Sequence, residues 1–161
     1  MTSSAAKKAR RKKRMERKKK RFESLRKQLY QSLPDVQQGN IVIEPSGEAR
    51  MSDVLTRFVA EEAESADSKE SYEALFTFAV LAWNASFLPR LRQKMMIGHA
   101  LRVAFPPGRR EVKTELRRFI EKLIARKHEH FSDYARRIVS FELVDLENGG
   151  FYLNVASTLE M

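Results

Sequence analysis

The chain has 161 residues, of which 42% are hydrophobic and 32% charged, and its formal charge is +10. That length suits one compact domain plus a tail and is large enough to bury a core. The lack of cysteine excludes a disulfide framework, a thiolate nucleophile and any cysteine-ligated metal.

None of the six glycines stands in a GxGxxG or GxxxxGK(S/T) arrangement, so the familiar phosphate-cradling loops are not expected. The longest near-apolar run, Ala74 to Trp83, is about half of what spans a bilayer. No apolar segment follows the basic start, so a secretory signal is not expected and the reading is cytoplasmic.

The charge is unevenly spread. Residues 1–27 carry 14 basic and 2 acidic side chains (+12), and residues 28–89 carry 3 and 10 (−7). Residues 90–137 carry 14 and 5 (+9), and residues 138–161 carry none and 4 (−4). A body near −2 therefore bears a +12 arm, an asymmetry that suggests a polyanion-seeking segment.

Lys7 to Arg21 reads KKARRKKRMERKKKR, with no apolar face and like charges at i,i+4, which oppose an isolated helix. Residues 1–21 are therefore expected to be a disordered basic arm. Met15, Phe22, Leu25, Leu29 and Leu33 fall near heptad spacing, about two repeats and too few for a coiled coil. A junction helix over 22–33 leading into a single domain, 22–161, is the simpler reading.

Pro34-Asp35 ends that helix. Ile41 to Glu44 is a short strand candidate, closed by Pro45-Ser46-Gly47. Met51, Val54, Leu55, Phe58 and Val59 recur at helical spacing, with Ser52 or Asp53 as candidate caps. Asp67 with Glu70 has capping-box spacing before a second helix, which carries Leu75, Phe76, Phe78, Ala79, Val80 and Trp83 and reads as the central helix.

A third helix runs from about Pro89 to Ala104, with Leu91, Met95, Ile97, Leu101 and Phe105 expected on or near one face, and Pro106-Pro107-Gly108 stops it. The fourth, about 109–130, has the cleanest amphipathic rhythm, through Val112, Leu116, Phe119, Ile120, Leu123 and Ile124. Ile138 to Leu146, Asn148-Gly149 and Phe151 to Val155 read as a β-hairpin, with 41–44 as a third strand. The expected fold class is α+β: about four body helices packed with a small antiparallel sheet.

Met51-Ser52-Asp53-Val54-Leu55 with Phe58, followed by Ala82-Trp83-Asn84-Ala85-Ser86-Phe87-Leu88-Pro89, resembles a pattern of small uncharacterised bacterial proteins. Those pair an MSxVLxxF-like helix with a second helix ending in AWNxSxLP. The match covers residues 51–89 and consists of packing residues. It implies a helical body and a bacterial origin, transfers no site, and does not include the basic arm.

Phosphates attract clustered Lys and Arg through counterion release, which needs no defined side-chain geometry. The arm residues expected to carry nucleic-acid binding are Lys12, Lys13, Arg14, Arg17, Lys18, Lys19, Lys20 and Arg21. RNA or a ribonucleoprotein is the expected partner, ahead of DNA, because nothing resembles a groove-reading module. On the fourth helix, Arg110, Lys113 and Arg117 form one basic row and Arg118, Lys122 and Arg126 another, a candidate secondary face. Glu111, Glu115, Glu121 and Glu129 are interspersed and offer intrahelical pairing as the alternative.

The acidic 61–73 region, with Glu61, Glu62, Glu64 and Asp67, is a candidate surface to hold the arm. The other class of function is a protein-interaction or assembly module whose helical body binds a protein partner, the arm contacting acidic protein or anionic membrane.

No catalytic constellation is recognisable, and no enzyme activity, metal or cofactor is expected. His128 and His130 are two apart, so on a helix they point about 200° from each other and cannot share an ion. His99 reads as partly buried, and Trp83 with Asn84 as core.

Overall fold

A computed structural model describes residues 41–42, 49–146 and 150–158. The expected arm, the junction helix over 22–33, residues 43–44 of the strand candidate and the Asn148-Gly149 turn lie outside these residues. In chain order the elements are β1 (Ile41–Val42), α1 (Met51–Phe58), α2 (Ala60–Ala63), α3 (Lys69–Ala85), α4 (Arg90–Ala104), α5 (Arg110–His130), β2 (Ile138–Asp145) and β3 (Phe151–Thr158). The fold is α+β, with helices packed on a small antiparallel sheet of order β1-β3-β2.

α1 buries Met51, Val54, Leu55 and Phe58, the i, i+3, i+4, i+7 stripe of an amphipathic helix. Ser52 and Asp53 do not cap it. Arg50 holds the N-cap position without a side-chain bond, and Ser52 lies inside the first turn, its carbonyl accepting from Thr56 Oγ1 at 2.8 Å. α3 likewise starts one residue later than the capping-box spacing suggests. Ser68, in an extended backbone conformation, accepts from the Ser71 N–H at 3.2 Å, while Asp67 accepts from the Ser71 hydroxyl.

From Phe76 to Ala85 every residue of α3 is buried. A helix apolar all round needs cover on all sides, and α4, α5 and β2 supply it. Phe76 meets Phe141 of β2 with centroids 6.0 Å apart, and Tyr72 meets Phe151 of β3 at 4.7 Å. Two polar groups at the C-terminal end of α3 fasten it to the chain entering the sheet. Trp83 Nε1 donates to the Arg136 carbonyl at 2.8 Å. Asn84 takes both backbone groups of Ile138, accepting from its N–H at 3.0 Å and donating to its carbonyl at 2.8 Å. A buried amide with its donors and acceptors used this way specifies a register that apolar contacts alone leave loose.

The hairpin is in register from Asp145↔Phe151 to Ser140↔Ala156, with an irregularity between Ile138 and Ser140. β1 pairs with the end of β3, Ile41 opposite Thr158 and Val42 opposite Ser157. Phe141, Leu143 and Val155 join the helical core, which is continuous through the described residues.

α4 differs from the sequence reading. Ile97, Ala100 and Leu101 are buried, but Leu91 is 72% and Met95 65% exposed. The two apolar pairs, 91 with 95 and 97 with 101, are each i,i+4, yet the two-residue step between them swings about 200° around the helix. They occupy opposite sides, and among the described residues only one side has helices to meet.

Candidate nucleic-acid interface

α5 follows Pro106-Pro107-Gly108, whose glycine adopts φ +91°. That left-handed conformation suits Gly, and it lets the chain reverse between α4 and α5. Along α5, Ile120, Leu123 and Ile124 are buried, with Leu116 and Phe119 partly buried against the core. Burying that stripe turns the basic rows outward.

The N-terminal row is open. Arg110, Lys113, Thr114 and Arg117 line a shallow hollow of about 310 Å³ with Gly108. Thr114 Oγ1 donates to the Arg110 carbonyl, and a methyl group on Gly98 of α4 would stand 3.8 Å from Arg117 Nη2. The Arg117 guanidinium thus reaches the α4 surface. Among the described residues, Arg110, Lys113, Arg117 and Arg118 form no ion pair.

The C-terminal row has a different fate. Arg126 forks onto Glu62, Nη1 to Oε2 at 2.6 Å and Nη2 to Oε1 at 2.9 Å. It also bonds Glu61 Oε2 and the Phe58 carbonyl, so it locks the end of α1 and the whole of α2 onto α5. Lys122 adds contacts of 3.0 Å to Glu62 and 3.4 Å to Glu61. Bidentate, charge-assisted pairs are the strong kind, and this one is largely sheltered, with side-chain exposures of 12% for Arg126 and 13% for Glu62.

Burial pushes the Glu62 carboxyl up, but hydrogen bonds from Arg126 and Lys122 outweigh it and hold the group below its ordinary range. The same bonds raise Arg126 and Lys122. The expected secondary face is therefore reduced to Arg110, Lys113, Arg117 and Arg118, with Lys122 and Arg126 committed to α2. Two members of the acidic cluster, Glu61 and Glu62, are engaged with α5, and Glu64 and Asp67 remain exposed.

Lys127 continues the apolar rail of α5 at i+3 from Ile124 and i+7 from Ile120, and it is only 3% exposed. Its ammonium lies 4.6 Å from the Trp83 ring centroid and 5.0 Å from that of Phe87. It donates to the Phe131 carbonyl at 2.7 Å. Burial pulls its pKa down, opposed in part by the charge of Asp133. The sequence reading missed this residue, although its place on the stripe was the available signal.

No family model, curated protein or solved structure matches the chain. The arm residues Lys12, Lys13, Arg14, Arg17, Lys18, Lys19, Lys20 and Arg21 lie outside the described residues. His99, expected to be partly buried, is exposed. His128 and His130 are exposed at the end of α5, and no group of three metal-ligating side chains occurs among the described residues. Trp83 and Asn84 are core, fully engaged with the backbone of residues 136 and 138. A second hollow of about 440 Å³ lies between α1, α3 and β3, walled by Tyr72, Phe76, Phe151 and Tyr152 with Arg50 and Asp53 at its rim. Among the described residues no helix is long and apolar enough to cross a membrane.

Proposed function

We propose that the chain binds nucleic acid electrostatically, RNA or a ribonucleoprotein in preference to DNA. The observation that carries this reading is the charge partition: +12 in residues 1–27 against a body near −2. The eight arm cations from Lys12 to Arg21 anchor the phosphate backbone, and Arg110, Lys113 and Arg117 on α5 add a second contact about 10 Å long. That row forms no ion pair among the described residues, which supports the assignment, because a cation already engaged with a carboxylate has less to gain from a phosphate. Counterion release supplies the affinity, and sequence discrimination is not required.

The test is a salt titration of the full chain on single-stranded RNA and on duplex DNA of equal length. Engagement of about six phosphates gives a log–log slope near −4 on the single strand. Replacing all eight arm cations with Gln abolishes most of the salt-sensitive binding. Undiminished affinity of that variant at low salt overturns the role of the arm.

The hollow between α1, α3 and β3, walled by Tyr72, Phe76, Phe151 and Tyr152, favours a second reading, an interaction module in which the helical body meets a protein partner. Size-exclusion after nuclease treatment in high salt separates the two: a small, nucleic-acid-free monomer supports the first, and a persistent protein oligomer supports the second.

A further inference from the structure

We propose that the outward face of α4 is a membrane-contact face. It seats Leu91 and Met95 in the interfacial layer of an anionic bilayer while Arg92, Lys94 and Arg102 meet lipid phosphates. This stands apart from the nucleic-acid reading, which rests on the arm and on α5.

The composition of α4 differs from that of its neighbours. Its fifteen residues hold four cations and no acid, whereas α1, α2, α3 and α5 each carry an acid in their first turn. None of the four cations forms an ion pair among the described residues. The fold fixes which side faces out, since burying Ile97, Ala100 and Leu101 leaves Leu91 and Met95 at the centre of the opposite side. They are the two most exposed large apolar side chains described. By helical geometry Arg92 and Lys94 lie about 80° to either side of this apolar centre and Arg102 continues it along the axis, the arrangement by which an amphipathic helix lies in a headgroup region.

Shape favours a lipid surface over a protein. The apolar side chains stand on the ridge of a single helix, and neither of the two hollows described above is lined by an α4 residue. A protein partner needs packing complementarity at the centre of its contact, whereas a fluid interface deforms around a ridge. Positive charge without interspersed acids complements anionic headgroups, each nearby cation adding to the attraction.

The chain has no cysteine, so a Met95→Cys variant takes a single environment-sensitive fluorophore in the full-length protein. Titration uses vesicles of phosphatidylcholine alone and vesicles with about one third phosphatidylserine. The expected result is a blue shift and a severalfold rise in emission with the anionic vesicles only. A label placed through Glu142→Cys on the exposed side of β2 stays unchanged. A full-length Leu91→Gln, Met95→Gln double variant keeps the wild-type melting temperature and loses on the order of ten-fold in vesicle affinity. Four results overturn the proposal: a silent label at position 95, a label already blue-shifted before vesicles are added, a response to RNA in place of vesicles, or unchanged vesicle affinity in the double variant.

Discussion

The two halves of α5 carry the same kinds of side chain to opposite ends. Near its start, Arg110, Lys113 and Arg117 surround an open hollow; near its end, Lys122 and Arg126 are locked to Glu61 and Glu62, and Lys127 lies under two aromatic rings. Both stretches are basic helix with acids interspersed, and one helical period runs through both. What differs is the element opposite. α2 brings two carboxylates against the second half, while the first half faces α4, which has no acid to offer. A cation becomes a structural tie or a free charge according to its neighbours across the fold, and local sequence says little about which.

Arg126 is the residue at which the two halves of α5 should differ most. Arg126→Ala leaves the sheltered Glu62 carboxylate without its fork and the Phe58 carbonyl without a donor. The expected loss is about 2–3 kcal/mol, below that of a fully buried pair because one side faces water. Arg117→Ala should leave the denaturation midpoint unchanged, and equal losses at the two sites would end the distinction between the halves.

The converse variant, Arg110→Gln, Lys113→Gln, Arg117→Gln in the full chain, should melt as the wild type does. Its salt slope on single-stranded RNA should be shallower by about 2. A lowered melting temperature with an unchanged slope would make the open row structural.

The tie in the second half of α5 also responds to acid. Glu62 is held below its ordinary 4.5 in the folded protein, so its contribution to stability is present above that value and is lost as pH falls through the lower folded one. Glu62→Gln should therefore lose stability less steeply than the wild type just below pH 4.5, as read by urea unfolding at a series of pH values.

The smallest effect concerns Lys127, whose folded pKa is lowered by burial. The unfolded chain takes up the proton more readily, so the wild type gains stability relative to Lys127→Met as pH rises towards 10.5. A difference between the two that stays constant over that range would show that the ammonium carries no net desolvation cost.

Much of the scaffold was legible in the residues. The 3.6-residue rhythm places Met51, Val54, Leu55 and Phe58 inside, as it does Ile120, Leu123 and Ile124, and the pairing of β2 with β3 follows from their β-branched and large apolar residues. Caps and exposed faces depend on more than local spacing. The α3 cap lies at Ser68, one residue after Asp67, because the hydroxyl next to the first turn reaches the Ser71 N–H. Leu91 and Met95 repeat at helical spacing as core residues do, and the placement of α3 and α5 leaves this side uncovered among the described residues. Exposure of His99 follows from the same orientation.

The candidate interface was legible as charge and illegible as geometry. Residue types and spacing carry the basic character of the arm, the amphipathic rhythm of α5 and the α+β class, because periodicity and net charge are properties of the local chain. Which of those cations are tied to carboxylates among the described residues is set by the packing of α2 against α5. Glu61 and Glu62 lie more than sixty residues from Arg126 in sequence, and no local pattern encodes a pairing that arises from two helices packing on a shared core.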